Sequence, residues 1–133
     1  MNKIIEFINQ NKFGNLATCS NEKPDTRPFE LVFHDDKGMF FYSSAEEELT
    51  NQLKQNPNIC FCATDSNYNY VKVKGSIEFS ENKDDKIKIL EKSKFAKNIF
   101  SDSNIDKMKV FSLPHGKCML HMHNDDNVII EEF

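Results

Sequence analysis

Residues 26–57, TRPFELVFHDDKGMFFYSSAEEELTNQLKQNP, read as strand, turn, strand and helix in immediate succession, and the rest of the chain is arranged around them. From 26 to 34 the pattern alternates, with Arg27, Phe29, Leu31 and Phe33 on one face and Pro28, Glu30, Val32 and His34 on the other. Residues 35–38 carry turn chemistry, and 39–43 form a second, more continuously apolar strand. Ser44 followed by Glu47 matches a capping box, in which a hydroxyl and a carboxylate satisfy backbone N–H groups at a helix start. That helix carries Leu49 and Leu53 one turn apart and stops near Asn56, ahead of Pro57.

The 133 residues suit one domain, long enough to bury roughly two-thirds of its unfolded surface in a single core. The net charge is −4 and no face or run is dominated by Lys and Arg, which argues against a nucleic-acid-binding protein. Twelve Phe and no Trp point to a Phe-built core. No apolar run reaches the length of a membrane span, and residues 1–10 are amphipathic rather than secretory, so the cytoplasm is the expected location. Four cysteines are too few for a disulfide scaffold. Cys60 and Cys62 share one strand face and read as small core or edge residues rather than a redox pair.

Outward from the central stretch, Ile4, Ile5 and Ile8 make residues 2–11 a short amphipathic helix, with Gly14 ending it or opening the next turn. Residues 15–19 form a strand, and 20–24 a turn that makes a hairpin with the Arg27 strand. Strands are expected at 58–64 and 70–79, the latter with Val71, Val73, Ile77 and Phe79 inward and Tyr70, Lys72, Lys74, Ser76 and Glu78 outward. Residues 80–92 are a charged surface helix with Ile87 and Leu90 as its apolar stripe, continuing irregularly through Phe95 and Phe100. After a polar loop at 101–106 come strands at 107–113, 117–123 and 127–132, broken at 114–116 and 124–126. Six or seven strands with two or three helices imply a mainly β, α+β chain, a largely antiparallel barrel with helices packed outside it or across its mouth.

Arg27 precedes Pro28 at a strand start, where a guanidinium can grip phosphate or carboxylate with two parallel hydrogen bonds. The alternative is an ion pair with Glu46, Glu47 or Glu48. Ser43 and Ser44 stand where hydroxyl and backbone groups can meet an anion at a helix N-terminus, though capping alone explains a Ser there. The run HGKCMLHMH holds His115, Cys118, His121 and His123, but an extended strand turns Cys118 away from His121 and His123, so no converging metal site is expected. No hydrolase triad pattern, phosphate-binding Walker loop or Gly-rich dinucleotide fingerprint is present.

The order of these pieces resembles the pyridoxamine 5′-phosphate oxidase-like split-barrel flavoproteins. The matching features are the Leu-Ala-Thr strand, the Arg-Pro-Phe start, the Gly turn and the aromatic strand ending in hydroxyl residues. A helix with Gln-Leu and Asn-Pro and a strand pair closing on Val-Lys-Val-Lys-Gly complete it. The match is close over residues 3–79 and looser beyond, through NIFS and FSLPHGKC. The resemblance implies a homodimer of six-stranded split barrels with FMN in a groove at the dimer interface. It makes Arg27 a phosphate contact with Ser43 and Ser44 beside the phosphate, places Pro28, Phe29 and Glu30 along the isoalloxazine ring through their backbone, and puts Gln52 nearby. Tyr70 and Lys72 fall where the family has an aromatic residue and an Arg reaching the flavin from the partner subunit. Where the family commonly has Lys or Arg in the first helical turn, this chain has Glu46, Glu47 and Glu48, so Glu47 stands at the phosphate end. The nearest pattern is that of small general-stress and nitroimidazole-resistance type flavoproteins, and the C-terminal region that pyridoxamine phosphate oxidases use for their substrate is not matched.

These readings imply a cytoplasmic, homodimeric, FMN-binding oxidoreductase acting on a small-molecule substrate, with a nicotinamide electron donor, no side-chain acid or base, and neither nucleic acid nor membrane as partner. The rival is a non-enzymatic split-barrel module that holds a less anionic ligand. A metal-binding protein using Cys118, His121 and His123 is the third reading.

Overall fold

The computed structural model describes residues 1–124 and 126–133, and is built of ten strands and four helices. Helix α1, Asn2–Gln10, buries Ile4, Phe7 and Ile8. Gly14 does not end it but lies inside β1, Phe13–Ser20, where the backbone of Cys62 passes too close for a side chain. β1 forms a hairpin with β2, Lys23–Glu30, through a tight two-residue turn at Asn21 and Glu22, both with positive φ (54° and 63°). Both residues left-handed is the geometry whose twist suits a short hairpin.

The 26–34 stretch is not one strand. β2 ends at Glu30 and β3, Phe33–Asp35, belongs to a different sheet. Leu31 and Val32, both fully buried, carry the chain between the sheets, their N–H groups donating to Lys12 O and Phe40 O. A second expected strand breaks in the same way. β6, Tyr70–Ser76, and β7, Glu78–Ser80, flank buried Ile77, whose N–H donates to Pro57 O. Alternation continues through both breaks because burial continues, so hydrophobic period alone could not reveal a change of sheet.

The remaining strands are β4, Gly38–Ser44; β5, Asn58–Thr64; β8, Met108–Leu113; β9, Lys117–His121; and β10, Val128–Glu132. They form a six-stranded antiparallel sheet, β10-β9-β6-β5-β1-β2, and a four-stranded one, β3-β4-β8-β7. The expected count of six or seven strands is therefore low, and the barrel is resolved into two sheets. Asp125, inside the break expected at 124–126, lies outside the described residues. β2 is an edge strand, which is where Pro24 and Pro28 can sit without removing a ladder hydrogen bond.

The larger core lies between the sheets, where Phe41, Phe61 and Phe111 are fully buried beside Leu16, Val71 and Val73. Helix α2, Glu48–Gln55, adds Leu49 and Leu53 and ends at Asn56, as its sequence implies. Its start is later than the capping box suggests. Ser44 N–H does donate to Glu47 Oε1 (3.2 Å), but the Ser44 hydroxyl accepts from Glu46 N–H, and the N-cap is Glu47. The smaller core covers the opposite face of the four-stranded sheet with helices α3, Lys83–Lys92, and α4, Lys94–Ile99. Being covered on both sides is why β4 reads as continuously apolar. In α3 the buried apolar residue is Ile89, while Ile87 is 52% exposed, because the inward face of α3 carries Asp85 and Ile89, one turn apart.

Candidate active site

Arg27 and Asp25 lie two apart on β2 and so share a face, and both project toward β1 and α2. The guanidinium is enclosed by protein acceptors. Its Nη1 donates to Leu16 O (3.2 Å) and Thr18 Oγ1 (3.1 Å), and its Nη2 to Gln52 Oε1 (2.9 Å) and Asp25 Oδ2 (3.0 Å). Gln52 Nε2 in turn donates to Asp25 Oδ2 at 3.1 Å. The Gln52 hydrogen bond, the Thr26 N–H and the Arg27 charge together hold the Asp25 carboxyl below the usual carboxylate range. The ion pair that sequence suggested with Glu46, Glu47 or Glu48 is thus made with Asp25 instead, and Glu46 pairs with Lys107 at 3.1 Å.

A cleft of about 390 Å³ runs along the free edge of β2, lined by Phe13, Arg27, Pro28, Phe29, Glu30, Tyr42, Glu47, Phe95 and Ile99. Five of the expected site residues converge there: Arg27, Pro28, Phe29, Glu30 and Glu47. Its walls are aromatic and aliphatic, with Phe13 and Phe95 meeting edge to face at 5.0 Å between ring centroids. An edge strand leaves alternate backbone N–H and C=O groups without a sheet partner, so the cleft offers hydrogen bonds to the rim of a planar ring. Its size lies within the range of small-molecule sites.

Glu30, only 8% exposed, accepts a 2.6 Å hydrogen bond from the Ser93 hydroxyl, which also accepts from Ala96 N–H (3.1 Å) as the cap of α4. One serine thereby ties β2 to the helix on the far wall. Ser93→Ala is expected to cost about 2–3 kcal/mol, the sum of a lost cap and a buried carboxylate left short of a donor. Urea unfolding should show the midpoint falling at an unchanged m-value. Burial pushes the Tyr42 hydroxyl above its ordinary pKa, with the Glu30 and Glu47 carboxylates adding to the shift, so Tyr42 faces the cleft as a neutral phenol.

Gln52 lines a second cleft, of about 450 Å³, on the other side of the Arg27–Asp25 pair. Ser43 and Ser44 line neither cleft. The Thr50 hydroxyl donates to Ser44 O (2.7 Å), which leaves Thr50 Oγ1 to accept from the buried Ser43 hydroxyl at 2.9 Å. Tyr70 and Lys72 sit apart from the clefts on the outer face of β6, Tyr70 stacking on His121 at 4.9 Å. Cys60 and Cys62 share that outer face, half-buried and free, and burial raises the Cys62 thiol with Cys60 adding to it. Cys118 points into the core, where burial pushes its thiol up to about 12. Among the described residues, no three His, Cys, Asp or Glu side chains gather as a metal site. No described helix is long and apolar enough to cross a membrane.

A family model described as pyridoxamine 5′-phosphate oxidase matches residues 1–113, which include every residue of both clefts. The chain belongs to the pyridoxamine 5′-phosphate oxidase family. No curated protein matches the sequence. Among solved structures, a NimC/NimA family protein from Clostridium acetobutylicum is 20% identical, with 100% of this chain and 92% of that one covered at a TM-score of 0.88. A heme binding protein from Mycobacterium smegmatis is 16% identical, covering 97% of this chain and 55% of that one at 0.75. A pyridoxamine 5′-phosphate oxidase-related, FMN binding protein from Nostoc punctiforme is 12% identical, covering 92% and 86% at 0.64. At such identities the likeness is one of fold, and the family assignment rests on the match over 1–113.

The residues that sequence reading missed are Asp25, Thr18, Tyr42, Phe13, Phe95, Ile99 and Ser93. Only Asp25 had a local signal, its two-residue spacing from Arg27 in an alternating strand.

Proposed function

We propose that this chain is a flavin-binding oxidoreductase of the pyridoxamine 5′-phosphate oxidase family, working in the cytoplasm as a homodimer, with the flavin ring seated in the β2 cleft. The observation that carries the reading is the convergence of Pro28, Phe29 and Glu30 with Phe13, Phe95 and Ile99 around one cleft of ring-accommodating size. FMN is the flavin that the resemblance implies, and a solved relative in fold is itself named as FMN binding. When bound, the flavin supplies the redox chemistry, and the protein binds and orients it and excludes water. A nicotinamide donor and a small-molecule substrate complete the proposed reaction.

The outer face of the six-stranded sheet supports the dimer. Registered pairing puts Asn15, Cys62, Lys72, Met119 and Ile130 in one row across it. Val128 and Ile130 stand exposed on it. A second copy docked there would bring the partner subunit's Tyr70 and Lys72 toward the flavin.

The ring end of FMN fits the residues present, and the phosphate end does not, because Arg27 is already held by Asp25. That observation favours a second reading, a binding module for a less anionic ligand without redox activity. Melting the protein with excess flavin tests for binding, since a ligand at 100 times its Kd adds about 2.7 kcal/mol to stability. No shift with any flavin would sink the proposal. Glu47→Lys exchanges a cleft carboxylate for an ammonium and is expected to tighten FMN by about tenfold in an equilibrium titration, whereas a module adapted to another ligand would bind no FMN before or after.

A further inference from the structure

The charges around the cleft narrow the flavin reading to one chemical form, an inference that rests on that reading. Arg27 has five N–H donors, and the four on Nη1 and Nη2 are matched by four protein acceptors, Leu16 O, Thr18 Oγ1, Gln52 Oε1 and Asp25 Oδ2. These acceptors are themselves fastened together. Thr18 Oγ1 donates to Gln52 Oε1 (2.9 Å) and Gln52 Nε2 donates to Asp25 Oδ2 (3.1 Å). A phosphate oxygen could reach the guanidinium fork only by displacing Asp25 and loosening that network.

Within the ring cleft no second cation compensates. Among the described residues lining the cleft, Arg27 is the sole positive side chain, against the carboxylates of Glu30 and Glu47. With Asp25 neutralising Arg27, the cleft presents two uncompensated negative charges to an entering dianion. The Ser43 hydroxyl, already donating to Thr50, offers the phosphate no donor. The adjoining cleft is chemically different. Lys23 faces the carboxylates of Asp25 and Glu48 there, one cation against two anions, beside Asn21, Asn51, Gln52 and Gln55, whose amides both donate and accept.

We infer that the site selects a flavin whose side chain ends in a neutral hydroxyl, riboflavin, over its phosphate ester FMN. The Asp25–Arg27 pair is the specificity determinant: it withholds the cation that a phosphate at the ring cleft would need.

Equilibrium titration of the full chain with riboflavin and with FMN, followed by flavin fluorescence at low and high salt, tests this. Riboflavin is expected to bind at least about fivefold more tightly than FMN, with the gap narrowing as salt screens the carboxylates. Asp25→Asn should shift the ratio of the two affinities toward FMN. Glu47→Gln should move it the same way without touching the Arg27 network. FMN binding as tightly as riboflavin, or more so, would overturn the inference and leave the flavin reading standing. Binding of neither flavin would remove both.

Discussion

Phe41→Ala is expected to lower the unfolding free energy by about 3–5 kcal/mol, enough to drop the melting temperature by roughly 10–20 °C. Phe41 has no solvent exposure and joins three rings across the interface of the two sheets. It stacks on Phe111 at 5.3 Å, meets Phe61 edge to face at 5.7 Å and touches Phe29 at 6.1 Å. Truncation opens a cavity that rigid strands on both sides cannot close, so the cavity adds to the lost transfer free energy. Set against a typical total of 5–15 kcal/mol, this is a large fraction of the fold's stability. Phe95 gives the contrast. It is 56% exposed at the cleft mouth, so Phe95→Ala should leave the melting temperature nearly unchanged while weakening flavin. Thermal melts of both variants, with and without flavin, separate the packing role from the binding role.

Gly38→Ala should be nearly as damaging for a backbone reason, costing about 2–5 kcal/mol. Gly38 opens β4 with φ +133°, a region that residues with a side chain rarely adopt. An added Cβ would lie 2.1 Å from Leu113 O and 2.8 Å from Pro114 Cα, both backbone atoms at the end of the paired strand β8. Neither can move aside without disturbing the β4–β8 ladder, which runs from Met39 opposite Leu113 to Ser44 opposite Met108. Urea unfolding would register the loss as a fall in midpoint, and a midpoint equal to that of the parent would show that the turn rearranges freely.

Much of the fold was legible because its patterns are local. The 58–64 strand, the helix ending at Asn56 and the alternation of Val71 and Val73 all follow from spacing, and the family resemblance drawn from residues 3–79 agrees with the match over 1–113. The sheet-to-sheet passages at Leu31, Val32 and Ile77 were not legible, because a residue buried between layers keeps the alternation intact. In the candidate site, Pro28, Phe29, Glu30 and Glu47 came from motif order, and they do share one cleft. The hold on Arg27 was half visible, through Asp25 two residues away. Its other half, Gln52, comes from a helix 25 residues on, and the Ser93 bond to Glu30 spans 63 residues. Contacts that distant depend on how the sheets and helices pack, which period and propensity do not encode.

The absorption spectrum of freshly purified protein, taken before any cofactor is added and again after incubation with riboflavin and removal of the excess, tests the central claim most directly. A ring seated against Phe13, Phe29 and Phe95 should leave stoichiometric flavin absorbance with the protein. Colourless protein that retains no flavin after incubation, with an unchanged melting temperature, would contradict it.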